Sequence, residues 1–239
     1  MIIGGLDFET SGQDPKLNSV VEIGLVLWCT ELRRPVSSTG RLVYDPNAVW
    51  EEGTTAINGI TQEQCKANGI DNELALKHTI QLYRHADIIC THNGTIFDKI
   101  FYENWCERFG YLDYRDQGKT WIDTKIDIQY PKGWSTKLKY LALEHGIFHA
   151  HAHGALPDAT VMLEILDRYP LSTVIESAKS PTVIVMAQVS YEEKDKAKAM
   201  GFYWRPETKQ WIKSIKASRI QDEVTSCAIA GFPVKIIKK

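Results

Sequence analysis

The sequence lacks the features of a disulfide-stabilised, secreted or membrane-spanning protein. Its 239 residues include five cysteines, an odd number without close pairs, at positions 29, 65, 90, 106 and 227. This pattern argues against a disulfide framework and a zinc ribbon, and it indicates a reducing, cytoplasmic environment. The longest apolar run, residues 20–28, is interrupted by Glu22 and is too short to span a membrane. No basic-then-apolar segment opens the sequence, so we expect neither a signal peptide nor a membrane partner.

The chain also lacks a large net charge, but its basic and acidic residues are unevenly distributed. The whole chain has a formal net charge of −2. Residues 181–239 contain 11 Lys and Arg against 6 Asp and Glu, whereas residues 1–180 contain 17 against 24. We therefore expect an acidic body followed by a basic segment that attracts phosphates.

Asp7 and Glu9 are the most informative residues. They lie in an apolar run, residues 2–10, that is typical of a buried strand. Because side chains alternate along a strand, both carboxylates point to the same face. Buried charges need a partner, and converging carboxylates usually bind a hard divalent cation. The alternative is an edge strand whose two acids are solvated.

Two further acids begin helical patterns and lie on their apolar sides. Asp98 is followed at helical spacing by four aromatic residues, Phe101, Tyr102, Trp105 and Phe109. Asp158 is followed in the same way by Val161, Met162, Ile165 and Leu166, and Pro157 suits the first helical position. An acid near a helix N-terminus is also favoured by the helix dipole alone. That explanation accounts for one such acid but not for three acid-bearing segments directed at a core.

His153 lies five residues before Asp158 in a loop that contains glycine. An imidazole titrates near neutral pH, so this residue is a candidate general base. We expect the neighbouring His145, His149 and His151 to lie at the surface. A zinc site formed by His149, His151 and His153 is the alternative, although no cysteine is nearby.

Three segments resemble, in order, the motifs of the DnaQ-like (DEDDh) 3′–5′ exonucleases of the ribonuclease H-like superfamily. They are residues 6–12, 91–98 and 153–158, the third in its histidine form because position 154 is Gly rather than Tyr. Supporting segments also match, at residues 21–24, 58–61, 121–124 and 137–145. The resemblance covers about residues 1–170. One departure is the separation of five between Asn93 and Asp98, where many members have four.

The resemblance implies a metal-dependent hydrolysis of phosphodiesters that releases 5′-mononucleotides. Two Mg²⁺ or Mn²⁺ ions would stabilise the attacking and leaving oxygens. Asp7 would bridge the ions, Glu9 and Asp158 would complete the shell of the first, and Asp98 would serve the second through water. His153 would deprotonate the attacking water.

The resemblance also implies substrate contacts. The backbone at Thr10 and Ser11 would hold the terminal nucleotide, and Asn93 would contact the adjacent region. Asp123 has either a polar role in the site or a hydrogen-bonding role at a strand end. Glu22 either orients the site or packs at the end of the sheet.

We expect an α/β, ribonuclease H-like fold in residues 1–170, with a mixed five-stranded sheet flanked by helices. The predicted strands are near residues 2–9, 20–29, 39–44, 87–91 and 120–123. The predicted helices are near residues 73–85, 97–109, 135–146 and 157–168, with Ser135 as the cap of the third.

A linker is expected at residues 171–181, followed by a small, basic α+β accessory domain at residues 182–239. Its pattern predicts a strand at 182–189, a helix ended by Gly201, a hairpin around residues 205–209, a helix from Lys216 and a last strand at 234–237. Residues 193–211 resemble a small domain appended to DNA-processing proteins. Trp204 and Trp211 either stack on bases or form the core of this domain.

Three functions follow from these patterns. The first is a 3′–5′ exodeoxyribonuclease acting on single-stranded DNA or on frayed 3′ ends of duplex DNA. The second is the same chemistry on RNA, as in exoribonucleases of the RNase T or oligoribonuclease type. The third is a non-catalytic nucleic-acid-binding protein, which would be expected to lack an acid or the histidine. Since all five residues are present, the first two are favoured, and the basic segment favours DNA.

Overall fold

The computed structural model describes residues 1–115, 117–131 and 133–237, so the last two residues of the predicted accessory domain lie outside it. The chain forms two compact units, Met1–Val174 and Ile175–Lys239. The division falls within a helix, Leu171–Lys179.

The first unit is built on a mixed sheet of six strands in the order β4-β3-β2-β1-β5-β6. Its strands are β1 (Ile2–Thr10), β2 (Val20–Cys29), β3 (Arg34–Tyr44), β4 (Ile70–Asp71), β5 (Ile88–Thr91) and β6 (Trp121–Asp123). β1, β2 and β3 pair antiparallel, and β5 and β6 add in parallel to β1. The prediction of five strands missed β4, a two-residue strand parallel to the end of β3, which is too short to show a periodic pattern.

Helices cover both faces of this sheet. They are α1 (Thr54–Asn58), α2 (Gln62–Asn68), α3 (Asn72–His85), α4 (Asp98–Arg108), α5 (Thr124–Asp127), α6 (Leu138–Glu144), α7 (Ala155–Leu166) and α8 (Leu171–Lys179). The predicted α/β fold is confirmed. The short helices α1, α2 and α5 were not predicted, because four to seven residues cannot establish an amphipathic period. α8 was not predicted either, and it occupies most of residues 171–181, which were expected to be a linker.

One face of the sheet packs against α3 and α4. Leu6 and Phe8 of β1 join a buried cluster with Leu76 of α3 and Trp105 of α4. The aromatic stripe predicted after Asp98 is buried as expected, except that Phe109 is only partly buried. Asp7 and Glu9 alternate with Leu6 and Phe8 along β1, so their side chains lie on the opposite face.

The opposite face of the sheet packs against α7. Gly5 lies two residues before Asp7 and therefore faces the same way, and a side chain at Gly5 would overlap Leu163 of α7. Gly24 pairs with Asp7 across the strands, and a side chain there would overlap the backbone of Ala155. Glycine at these positions lets the N-terminal end of α7 lie directly on the strands beside Asp7.

Two predicted helix starts were wrong. α7 begins at Ala155, so Pro157 is its third residue and not its first, a position at which proline still costs no helical hydrogen bond. α6 begins at Leu138 with Lys137 as its cap residue, and Ser135 does not cap it.

The second unit is a four-stranded antiparallel sheet with helices, in the order β10-β7-β9-β8. Its elements are β7 (Thr182–Ala187), α9 (Lys194–Ala199), β8 (Tyr203–Arg205), β9 (Gln210–Lys216), α10 (Ile220–Ile229) and β10 (Val234–Ile237). Val185, Phe202 and Phe232 form its buried core, and Trp211 packs against this core. The predicted order of strands and helices in this segment is confirmed.

None of the five cysteines forms a disulfide. In the described ranges, no helix has both the length and the apolar character needed to cross a bilayer.

Candidate active site

The site is built around Asp7 and Glu9, which lie near the end of β1 and share one face. Across the strands, Asp7 is opposite Gly24 and Glu9 is opposite Glu22. The expected geometry of the first acid pair is therefore present, and β2 adds a third carboxylate to it.

Asp98 reaches the same region from the start of α4. It is the first residue of that helix, is 3 % exposed, and its Oδ1 accepts a hydrogen bond of 2.8 Å from the backbone N–H of Phe8. β5 pairs with β1 only at residues 3–5, so Phe8 lies beyond that ladder and its N–H is available to Asp98. Because Phe8 follows Asp7 in the sequence, this bond holds the Asp98 carboxylate next to the backbone of Asp7.

Asp158 is carried by the first turn of α7. The N–H of Asp158 makes the first helical bond to Gly154, and the N–H of Ala155 donates to Oε2 of Glu22 at 2.9 Å. Glu22 thus satisfies one of the N–H groups at the helix start and ties α7 to β2. Of the two roles considered for Glu22, the structure supports orientation of the site.

Burial and neighbouring carboxylates raise the pKa values of the two acids of β1. Burial raises the pKa of Asp7 well above its usual value, and the charges of Asp98, Asp158, Glu9 and Glu22 raise it further. Burial and the charges of Asp158, Glu22 and Asp98 raise the pKa of Glu9 to about 8. The pKa of Asp98 is raised to about 7, chiefly by burial. Such a group is short of positive charge.

The histidine nearest to Asp158 is His149. Its Nε2 lies 2.6 Å from Oδ1 of Asp158, and its side chain is 6 % exposed. The prediction that His149 lies at the surface was wrong, because the loop folds back over the start of α7. His153 is exposed and has a φ of 67°. Burial raises the pKa of Asp158, and the hydrogen bond and charge of His149, together with the charge and backbone N–H of His153, oppose this rise.

The donor set fits hard divalent cations in its chemistry. Its members are carboxylate oxygens whose ionised forms lack compensating positive charge, and Mg²⁺ and Mn²⁺ prefer oxygen ligands. In the described part of the chain, no three Asp, Glu, His or Cys side chains converge as a ready-formed metal site, and this includes the three histidines of the zinc alternative. Asp98 is bonded to Phe8 and Asp158 to His149, so two of the four acids have partners within the protein.

Asn93 lies in the loop between β5 and α4, which Asp123 holds. Asn93 has a φ of 65°, its N–H donates to Asp123 Oδ1 at 2.8 Å, and its own Oδ1 accepts from Nζ of Lys125 at 2.9 Å. Asp123 also accepts hydrogen bonds from the N–H and hydroxyl of Thr95. Asp123 therefore fixes the loop that leads to Asp98, which is the strand-end role considered for it.

Thr10 and Ser11 are buried and have partners within the protein. The Thr10 hydroxyl donates to the carbonyl of Gly12 at 2.6 Å, and the Ser11 hydroxyl donates to the carbonyl of Val49 at 2.7 Å. The N–H of Ser11 donates to the carbonyl of Ser19. Their predicted contact with substrate stays a prediction, and their observed role is to shape the loop after β1.

Sequence reasoning missed His149 and left Glu22 undecided. A signal for Glu22 existed, because an acid in an apolar strand beside β1 is unusual. No local signal distinguishes His149 from His151, since only the path of the loop brings one of them to Asp158.

A family model described as an exonuclease, RNase_T, matches residues 5–166, and a domain of unknown function, DUF8626, matches residues 183–237. Among curated proteins, the DNA polymerase III PolC-type of Thermotoga petrophila is 27% identical over 168 residues. That match covers 69% of this chain and 11% of the polymerase, so the chain spans about a tenth of the length of this relative.

Two solved structures share the fold. Escherichia coli exonuclease I in complex with a dT13 oligonucleotide matches with a TM-score of 0.64 and 17% identity, over 99% of this chain and 63% of that one. The nuclease domain of 3′hExo, a DEDDh family member bound to rAMP, matches with a TM-score of 0.56 and 22% identity, over 70% of this chain and 90% of that one. The ribonuclease H-like architecture and the resemblance to DEDDh exonucleases are confirmed.

Proposed function

This chain belongs to the RNase T exonuclease family, and from that premise we propose that it is a metal-dependent 3′–5′ exodeoxyribonuclease. Family membership makes it a hydrolase of phosphodiester bonds. The observation that carries the proposal is the arrangement of four acids around one end of β1: Asp7 and Glu9 share one face of that strand, Asp98 accepts from the N–H of Phe8, and Glu22 joins β2 to the start of α7, which carries Asp158. We propose that its products are 5′-mononucleotides.

The four acids would hold two divalent ions, Mg²⁺ or Mn²⁺. Asp7 would be shared between the ions, Glu9 and Asp158 would serve one, and Asp98 would serve the other. The chemistry that such ions supply when bound is neutralisation of the charge that develops on the attacking and leaving oxygens. In support, exonuclease I has been solved in a zinc-bound form with single-stranded DNA.

The protein's own contribution is to hold these carboxylates in position, and bound cations would favour their ionised forms. Glu22 and the hydrogen bond from Phe8 fix two of the four acid-bearing segments. We propose that a ring nitrogen of His153 accepts the proton of the attacking water, and that the backbone near Thr10 and Ser11 and the amide of Asn93 contact the terminal nucleotides. Low pH would reduce activity, because protonated carboxylates release metal and a protonated imidazole cannot accept a proton.

His149 competes with His153 for the role of general base, since its imidazole is the one that contacts Asp158. Single-turnover rates of His149→Ala and His153→Ala would separate them. We expect His153→Ala to lose its single-turnover rate while still binding metal. Loss of the rate in His149→Ala alone would move the general base to His149.

DNA is favoured over RNA by the second unit. Residues 181–239 contain 11 Lys and Arg against 6 Asp and Glu, they include the segment that resembles a domain appended to DNA-processing proteins, and Trp204 lies half exposed on their hairpin. Exposed aromatic residues among basic ones hold single strands by stacking and charge. The exoribonuclease alternative is supported by the likeness to 3′hExo, which was solved with rAMP.

The proposal is tested with 5′-labelled single-stranded DNA and RNA of matched sequence, each with Mg²⁺ and with EDTA. We expect a metal-dependent ladder from the 3′ end on DNA, which His153→Ala abolishes and the surface variant Asp113→Asn retains. A ladder mainly on RNA would replace the deoxyribonuclease by the exoribonuclease. Cleavage of neither strand would refute a nuclease function and leave a nucleic-acid-binding protein.

A further inference from the structure

The sheet of the first unit has an unoccupied edge. β3 pairs with β2 along one side, but on its other side β4 pairs only with Val43 and Tyr44. Across the described residues, no strand lies against positions 34–42 on that side. The backbone groups of a free edge can pair with an added strand.

A cavity of about 270 Å³ opens beneath this edge, between the β2–β3 hairpin and α3. Residues 37–39 of β3 form one wall, and Leu25, Leu27 and Leu82 form an apolar part of the lining. A strand added to β3 would run past the mouth of this cavity, and alternate side chains on the α3 face would point towards it. The cavity is large enough for side chains of such a strand.

The polar lining of the cavity comes from α3, through His78, Gln81 and His85. Nδ1 of His78 is buried, and no described residue forms a hydrogen bond with it. A buried polar atom without a partner is costly, and an occupant that lets the His78 ring turn towards it would relieve this cost. This observation is independent of the free strand edge.

The residues that line the cavity are uncharged or basic, and the charged residues of β3 are arginines. None of its lining residues carries a carboxylate. Arg41 lies two residues beyond Thr39 on β3 and therefore shares its face, and Arg34 lies at the other end of the strand. Glu73, the acid of α3, is already paired with Lys77 at 3.0 Å. A segment that complements this surface would therefore carry negative charge.

We propose that the β3 edge and its cavity dock an extended, acidic segment of a partner protein, which adds a strand to β3. Backbone hydrogen bonds would supply affinity, and apolar and acidic side chains entering the cavity would supply selectivity. A second copy of this chain fits less well. Two-fold antiparallel pairing centred on Ser37 and Ser38 would set Arg34 of one copy opposite Arg41 of the other, and like charges in opposed positions repel.

This surface is separate from the acidic site. Leu25 pairs with Leu6 and faces α3, whereas Asp7 faces α7 on the other side of the sheet. Docking there leaves Asp7 and Glu9 accessible to substrate. The proposal therefore does not rest on the nuclease assignment, and the two fail in different experiments.

The probes are three capped nonapeptides, added to the full-length protein at pH 7.5. The first alternates valine with aspartate and glutamate, the second replaces each acid by lysine, and the third keeps the acids but has proline at two central positions. Binding is measured by fluorescence anisotropy, and the site is mapped by amide and imidazole chemical shifts. We expect the first peptide to bind, with shifts at residues 34–42 and at the His78 ring.

The test variant is the double substitution Gln81→Glu and His85→Glu, which adds two negative charges at exposed positions of α3. Arg168→Glu, at an exposed position beyond α7, changes the charge by the same amount and is the matched control. We expect the double variant to weaken binding of the acidic peptide by about tenfold or more, and the control to leave it unchanged. Unchanged exonuclease rate and melting temperature would show that both variants are folded.

Four results would overturn the proposal. They are no binding of the acidic peptide, equal binding of the lysine or proline peptide, equal binding by the double variant, and shifts that map elsewhere. A dimer in analytical ultracentrifugation that the double variant abolishes would assign the edge to a second copy instead.

Discussion

At the scale of single residues, the site is a set of carboxylates that destabilise one another until a cation binds. Asp7 is the clearest case, since burial and four neighbouring acids all raise its pKa. Removal of its charge should therefore weaken metal binding and increase the stability of the metal-free protein.

Asp7→Asn keeps the shape of the side chain and removes its charge. We expect loss of Mg²⁺ binding in calorimetry, an activity lower by more than about a hundredfold, and a higher melting temperature in EDTA. Asp113→Asn, at an exposed position, should change none of these. Wild-type metal affinity in Asp7→Asn would contradict the assignment of Asp7 as a ligand.

The stability of the metal-free protein should depend on pH in a direction opposite to that of a salt-bridged protein. The folded pKa values of Glu9, about 8, and Asp98, about 7, lie above their ordinary values, so the folded state binds more protons in this window. Stability in EDTA should therefore fall as the pH rises from about 5 to 8, and Mg²⁺ should reverse the loss. Melting temperatures across this range test it, and a rise with pH in EDTA would contradict it.

At the scale of elements, the site depends on how closely α7 approaches β2. Gly24 allows the contact because a Cβ there would overlap the carbonyl group of Ala155. Glu22, two residues earlier in β2, then reaches the N–H of Ala155. Strand and helix are thus joined at the point where Asp158 enters the site.

Gly24→Ala should push the start of α7 away from the sheet. We expect a loss of about 1–3 kcal/mol in the free energy of unfolding, together with weaker metal binding. Gly154→Ala is the comparison, because a Cβ there meets its nearest atom at 3.3 Å and the φ of Gly154 is −112°. Urea denaturation and metal calorimetry of both variants provide the measurement, and equal stability of the two would refute the close-approach argument.

At the scale of the whole molecule, a nearly neutral chain contains an acidic catalytic unit and a basic second unit. Because carboxylates repel a phosphate-bearing substrate unless cations are bound, we expect basic residues elsewhere to assist its binding. In the second unit, Trp204 is 46% exposed. The centroid of its ring lies 5.7 Å from that of Trp211, which packs on the core. Trp204 is thus accessible to a partner, whereas Trp211 contributes to the core of the unit.

Trp204→Ala should weaken binding of single-stranded DNA by about tenfold, with little change in melting temperature, because an exposed ring contributes mainly by stacking. Trp204→Phe should retain most of the affinity. Trp211→Ala should instead lower the melting temperature. Anisotropy with labelled oligonucleotides at several salt concentrations is the measurement, and unchanged affinity in Trp204→Ala would remove this residue from the interface.

Much of the catalytic unit was predictable because its signals are local. Alternation in a nine-residue strand puts Asp7 and Glu9 on one face, and helical spacing puts Asp98 and Asp158 at the starts of apolar helices. These patterns depend only on the geometry of one strand or one helix, so the order of the acids predicted the family. The sheet of the second unit was predictable for the same reason.

Other features were decided by segments that are distant in sequence. The pairing of Glu9 with Glu22 depends on the register of two strands, and the contact of His149 with Asp158 depends on the path of a loop. The free edge of β3 depends on which strands do not pair. Sequence by itself thus determined where the acids stand within β1, α4 and α7, whereas the tertiary structure decided their partners, because register and loop path are set by packing of the whole unit.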